Sequence, residues 1–146
     1  MNRCIFCKIA KGEAKAEKIY ETENVVSFLD INPRAPGHSL VIPKKHVKRL
    51  CCLEDELIAD IFIATKEVMK ILKKTLNPDA FNIGINDGEV AGQEIPHLHV
   101  NIFPRFRGDE GNPVHSIVSN PPLEKVPETA EKIRKHVRDL QHTSSE

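Results

Sequence analysis

Between residues 92 and 105 polar and apolar side chains alternate with a period of two, and this stretch restricts the fold more than any composition figure. Successive side chains of a strand point to opposite faces, and same-face neighbours lie about 6–7 Å apart. Leu98, Val100 and Ile102 are therefore expected to enter a core, while His97, His99 and Asn101 share the other face. A lone strand cannot bury its apolar side, so the remaining chain must supply strands beside it and a cover above it.

The pattern elsewhere provides both. Lys18-Ile19-Tyr20-Glu21 reads as a short strand, residues 25–30 as a β-branched and aromatic one, and residues 38–43 as an apolar strand stopped by Pro43. Residues 80–86 alternate again, and the glycine-bearing loop 87–92 joins them to the histidine-bearing strand as a hairpin. Between 54 and 76, Leu57, Ile58, Ile61, Phe62, Thr65, Val68, Met69 and Leu72 recur at intervals of three and four, which predicts a long amphipathic helix ended by Asn77-Pro78. Residues 4–11 suit one or two helical turns stopped by Gly12, with Cys4 and Cys7 on one face. After a segment rich in glycine, proline and asparagine, Ala130, Ile133, Val137 and Leu140 space a final helix.

Short strands, one long helix, further strands and a last helix predict an α+β domain, its mostly antiparallel sheet covered on one face by helices. The connections are too short for βαβ units apart from the long helix. We expect one domain over 1–146, with a motif-bearing core at about 4–105 and a C-terminal loop and helix at about 106–142. A chain of 146 residues with 40% hydrophobic side chains can bury roughly two-thirds of its unfolded surface.

Lys plus Arg balance Asp plus Glu at 21 each, so no global positive field argues for duplex nucleic acid or an anionic membrane. A small anionic ligand held by local groups fits this balance. The basic run Pro43-Lys44-Lys45-His46-Val47-Lys48-Arg49 reads as a solvated turn, because no basic stripe extends it. No segment approaches the roughly 18 apolar residues of a membrane span, and Met1-Asn2-Arg3-Cys4-Ile5-Phe6 lacks the apolar run of a signal peptide. The expectation is a cytoplasmic protein with its four cysteines reduced. Cys51 and Cys52 read as ordinary buried or half-buried residues.

Neutral imidazole is a good nucleophile near pH 7, and its bond to phosphorus hydrolyses readily. His99 is the candidate, with the amides of Gly92, Gln93 and Glu94 as donors to charge on phosphate oxygens. Cys4-x-x-Cys7 is half a zinc site, which His46 and His97 can complete from separate segments; the alternative is a pair of reduced thiols at the base of the core. His115, His136 and His142 carry no such pattern.

His97-Leu98-His99-Val100-Asn101-Ile102, Phe28-Leu29-Asp30-Ile31-Asn32-Pro33, Pro36-Gly37-His38-Ser39-Leu40-Val41-Ile42-Pro43-Lys44-Lys45-His46 and Ala91-Gly92-Gln93 together closely resemble the histidine-triad (HIT) family. The match runs from about Cys4 to Arg105. The resemblance implies a five-stranded antiparallel sheet, a homodimer, and a nucleotide hydrolase or transferase in which the middle motif histidine, here His99, attacks an α-phosphate to form a nucleotidyl-histidine. Adenosine phosphoramidates, adenylated small molecules and dinucleoside polyphosphates are the implied substrates, with a purine nucleotide bound. By the same match Asp30 binds ribose hydroxyls, Phe6, Phe28 and Ile31 flank the base, and Asn86, Gly92, Gln93 and Glu94 lie along the phosphates. His38 backs up the catalytic face, and Cys4, Cys7, His46 and His97 hold a structural zinc.

Two positions depart from the pattern. Asn101 replaces the third histidine and can donate a hydrogen bond but carries neither proton nor charge. Glu94 stands where relatives often place serine or threonine near the phosphates. The first departure leaves two expectations open: a hydrolase with reduced turnover, or a nucleotide-binding or partner-binding module with weak or no catalysis.

Overall fold

The structure is a computed structural model, and it describes residues 3–143. Its chain contacts divide it into two compact units, one running through Val114 and the other beginning at His115. In the first unit the elements are α1 (Ile5–Ala10), β1 (Lys18–Glu21), β2 (Val25–Leu29), β3 (Ser39–Pro43), α2 (Asp55–Leu76), β4 (Ala80–Gly84) and β5 (Val100–Arg105). The second unit contains α3 (Val126–Thr143), none of whose residues is buried.

The strands form one five-stranded sheet in the order β1-β2-β3-β5-β4, and every neighbouring pair is antiparallel. The strands lie where the sequence patterns place them, and five antiparallel strands are what the family resemblance implies. The long helix also forms where its three-four periodicity places it: Ile61, Ala64, Thr65, Val68 and Leu72 are its buried stripe. Asp55 and Glu56 in its first turn and Lys73 and Lys74 in its last complement the helix dipole. Asn77 ends it in the left-handed conformation, its N–H returned to Lys73 O.

Side-chain alternation splits the buried residues between the two sheet faces. Beneath α2, Val25, Val41, Leu98, Val100 and Ile102 meet Ile61, Ala64, Val68 and Leu72. On the opposite face Val26, Phe28, Leu40 and Ile42 pack with Phe6 and Ile9 of α1. On that second face the six-residue α1 and the segment after it, with Ala14 and Ala16, pack over the β2 and β3 residues.

Two expectations are corrected. The regular ladder of the histidine-bearing strand begins at Val100, not at Gly92; His97 lies in a bend, with its N–H donating to Ile95 O, and only the Leu98 N–H, 2.7 Å from Val47 O, extends the pairing toward it. The bend follows Pro96, which has no N–H to give to a ladder. Cys51 and Cys52, expected buried or half-buried, are exposed in a one-turn 3₁₀ segment, Leu50–Cys52. No helix among the described residues is long and apolar enough to cross a membrane.

Candidate functional site

His97 and His99 part company because of the bend. His97 is fully buried, and its Nε2–H donates to the Pro43 carbonyl at 2.8 Å. That bond leaves a lone pair on Nδ1. Nδ1 lies 3.3 Å from Cys4 Sγ, 3.5 Å from Cys7 Sγ and 3.3 Å from His46 Nδ1. Cys7 Sγ is 3.3 Å from His46 Nδ1 as well. All four candidate ligand atoms fall within 4.8 Å of one another.

Such a convergence of donor atoms has a simple physical test. With zinc bonds of about 2.1 Å to nitrogen and about 2.3 Å to sulfur, a tetrahedron has nitrogen–nitrogen edges of about 3.4 Å and nitrogen–sulfur edges of about 3.6 Å. The separations here match that figure, so the donor set fits a tetrahedral cation. Its titration also fits. Burial, opposed by the Pro43 carbonyl and assisted by His46 and His99, holds His97 below its ordinary value and so neutral. Burial pushes the Cys4 thiol up, so a cation must displace its proton to bind. Cys4 lies at the N-terminal boundary of α1 and Cys7 within it, His46 is in the turn after β3 and His97 on the approach to β5. One ion would join three segments distant in sequence.

His99 is half-buried and precedes Asn101 on the same alternating row. Its Nδ1–H donates to the His97 carbonyl at 2.8 Å, and the edge of its ring meets Phe6 with centroids 5.3 Å apart. A proton on Nδ1 puts the lone pair on Nε2. The ring is thus held as the tautomer a nucleophile requires, by the carbonyl two residues before it.

Asn101 follows on that face, cross-strand from Leu40 and Gly84. His38 Nε2 lies 3.1 Å from Asn101 Oδ1 and 3.7 Å from Asp30 Oδ2. The His38 ring is 4.3 Å from that of Phe103, the next residue of the alternating row. Asp30 accepts from the Asn32 N–H at 2.8 Å through Oδ1, which orients its carboxylate at the end of β2. A cleft of about 450 Å³ opens beside it, lined by Asp30, His38 and the Pro33–Gly37 turn. Gly37 is required in that turn: its φ is +80°, and a Cβ there would stand 2.5 Å from Leu76 Cδ1.

The loop before the histidines braces itself. Gln93 Oε1 accepts from the Gly88 N–H at 2.9 Å, and its Nε2 donates to Lys48 O at 3.0 Å and Ile95 O at 3.1 Å. The N–H groups of Gly92 and Gln93 donate to Glu89 O and Gly88 O. Of the three amides expected to face phosphate, Gly92 and Gln93 are therefore engaged within the loop, while Glu94 N–H has no protein partner among the described residues. Asn86 Nδ2 lies 3.4 Å from Gly92 O, and Arg49 Nη1 donates to Asp87 O at 3.2 Å. The Glu94 side chain is exposed.

The residues assigned to the base divide similarly. Phe6 and Phe28 are buried and meet edge to face at 5.4 Å, whereas Ile31 is 88% exposed. Several supporting groups escaped sequence reading. The Pro43 and His97 carbonyls and the Arg34 N–H are backbone atoms with no residue signature, while Phe103 lay in view as the next member of the 97-99-101 row.

Comparison with known proteins identifies the family. A HIT domain model matches residues 11–108. An uncharacterized HIT-like protein of Methanocaldococcus jannaschii is 46% identical over 123 residues, covering 84% of this chain and 95% of its own. The adenosine 5'-monophosphoramidase hnt1 of Schizosaccharomyces pombe is 42% identical over 108 residues, 74% of this chain and 78% of that protein. The crystal structure of a zinc-bound histidine triad family protein from Mycobacterium smegmatis superposes with a TM-score of 0.71 at 32% identity, covering 97% of each chain.

Proposed function

Since this chain belongs to the HIT domain family, we propose that it is a nucleotidyl hydrolase, cleaving the α-phosphate bond of adenine nucleotide conjugates through a nucleotidyl-histidine on His99. The observation that carries this reading is the 2.8 Å bond from His99 Nδ1–H to the His97 carbonyl, which presents a lone pair on Nε2. Nε2 attacks the α-phosphorus as the bond to the leaving group breaks. Water then attacks the same phosphorus, the nitrogen–phosphorus bond returns its electrons to Nε2, and the nucleoside monophosphate departs.

The amide of Asn101 and the backbone N–H of Glu94 are the donors toward developing phosphate charge. Asp30 receives the ribose hydroxyls beside the cleft it lines, and Phe6, Phe28 and Ile31 flank the base. Substrates belong to three classes: adenosine phosphoramidates, adenylated small molecules and dinucleoside polyphosphates. Zinc on Cys4, Cys7, His46 and His97 is structural, cross-linking α1 to the sheet. In a reducing cytoplasm those cysteines stay available to it. The protein acts as a homodimer, and the apolar stripe of α3, with Ile133, Val137 and Leu140 all exposed, is surface that self-association would cover; sedimentation should return about twice the 16.4 kDa chain mass.

The test is release of AMP from an adenosine phosphoramidate and from a diadenosine polyphosphate. Substituting His99→Ala should lower turnover by at least about 10³-fold while AMP still binds. Unchanged turnover in that variant overturns the proposal. Asn101 favours a second reading, a nucleotide-binding module with little catalysis. It requires tight AMP binding by the native chain, negligible turnover of either substrate, and a rate that appears with Asn101→His.

A further inference from the structure

The bonds around His38 dictate how Asn101 is oriented, and with it what Asn101 can give to a reaction. The backbone N–H of Arg34 points at His38 Nδ1 from 3.2 Å, so that nitrogen accepts and the ring proton resides on Nε2. Nε2–H then requires an acceptor, which is Asn101 Oδ1 at 3.1 Å. An amide turned over would set its NH₂ against the ring N–H, donor against donor. The imidazole has no freedom to flip instead: it is 4% exposed and lies against Phe103. The Asn101 oxygen is thus occupied from behind, and its NH₂ is the polar group left to the face it shares with His99.

No acid replaces the missing histidine in this relay. Asn101 cannot release a proton near neutral pH, His38 Nε2–H is committed to Asn101, and His99 Nδ1–H is committed to the His97 carbonyl. A leaving group must therefore depart with the electron pair it takes from phosphorus and no proton from this row. Carboxylates and phosphates are stable in that form. An alkylamine is not, because its nitrogen must be protonated before or as the phosphorus–nitrogen bond breaks.

We infer that the His38–Asn101 pair makes this chain selective for nucleotidyl substrates whose leaving group is a stable oxyanion, the carboxylate of an acyl–nucleotide mixed anhydride or the phosphate of a polyphosphate, over phosphoramidates of basic amines. This rests on the hydrolase reading above and narrows its substrate class. In the favoured reaction the His99 Nε2–phosphorus bond forms, the phosphorus–oxygen bond breaks, and the electron pair stays on the departing oxygen, to which Asn101 NH₂ donates a hydrogen bond. Water then supplies the hydroxyl that completes AMP, and its proton goes to solvent. His38 acts through Asn101 and is a positioning residue.

The test compares acetyl adenylate with the phosphoramidate of AMP and a primary alkylamine, using the full-length zinc-loaded chain. The native protein should favour the mixed anhydride by at least about 100-fold in kcat/KM after correction for spontaneous hydrolysis. Asn101→His, which supplies a titratable donor, should raise the ratio of phosphoramidate to anhydride kcat/KM about 10-fold to 100-fold. Across a series of carboxylate and phenol leaving groups, the native rate should fall more steeply with leaving-group basicity than the variant's. Asn101→Leu, which removes the donor, should slow the anhydride reaction in kcat, and adding His38→Ala to it should cost nothing further if His38 works only through Asn101.

Equal native rates on the two substrates would overturn the inference, as would an equal gain on both in Asn101→His. So would a phosphoramidate rate that collapses in Glu94→Gln, since the exposed carboxyl would then be the acid. Turnover of neither substrate would overturn the hydrolase reading itself, and a flat ratio with good turnover overturns only the selectivity.

Discussion

At the scale of single residues, the site depends on protons placed by backbone atoms. The His97 carbonyl holds the His99 tautomer, the Pro43 carbonyl holds that of His97, and the Arg34 N–H holds that of His38. None of these can be lost to side-chain mutation, so sensitivity concentrates in the few side chains that bridge segments. Gln93 is the clearest, with three hydrogen bonds to the Gly88 N–H and to two carbonyls. Gln93→Ala should lower unfolding free energy in urea by about 1–3 kcal/mol and raise KM more than it lowers kcat, because it loosens the loop and not His99, the nucleophile proposed above. Ser27 is the opposite case: its buried hydroxyl has no hydrogen-bond partner among the described residues. Ser27→Ala should then be neutral or stabilise by up to about 1 kcal/mol in the same measurement.

At the scale of elements, α1 is too short to persist by itself. Six residues lie well below the length at which isolated helices hold in water, and no side chain caps its first turn. Phe6, Cys7 and Ile9 bury it against the sheet, and the cysteine–histidine cluster ties it to the β3 and β5 ends. On the zinc reading proposed above, metal removal should therefore act locally. Chelation, or Cys7→Ser, should lower the thermal midpoint and raise amide exchange over residues 4–11 first, leaving α2 protected; uniform exchange across the chain would show that the cluster supports the whole fold. The elements themselves were legible in the sequence wherever a periodic stripe was long. The period of α2 ran for six turns, and its observed bounds, Asp55–Leu76, fall within a residue of the expected ones. The histidine-bearing strand was read too long because alternation survives in an extended bend that makes no ladder, and period alone cannot distinguish the two.

For the molecule as a whole, acidity is the condition that reaches every part. His97 is neutral in the fold, its affinity for protons depressed chiefly by burial. In the unfolded chain it titrates near about 6.5. Below that value the unfolded state binds the extra proton and the folded state does not, so stability is complete above about pH 6.5 and falls as pH drops toward the folded value. With the proposed zinc bound, protons would compete for the same ligands, which has the same sign. Urea midpoints should decline between pH 7.5 and 5. Glu21, Glu54 and Glu124, held low by Lys44, Lys45 and Lys132, are lost only near or below the ordinary carboxylate range, so they do not mimic the earlier decline. A midpoint flat down to pH 5 would exclude His97 from this role.

By itself the sequence determined the α+β class, the two principal helices, the five strands, and the family to which the chain belongs, because each is written in local periodicity or in contiguous motifs. It also singled out Cys4, Cys7, His46 and His97 as possible partners, though not whether they meet. Only the tertiary structure decided that they do, since their approach depends on how α1 folds back onto the sheet end. Only it gave the bend that turns His97 inward and leaves His99 beside Phe6, and the Arg34–His38–Asn101 relay that orients one amide. Those are matters of proton placement between groups up to 63 residues apart. Periodicity records which face a side chain takes, and hydrogen-bond direction across the fold decides what it can donate once there.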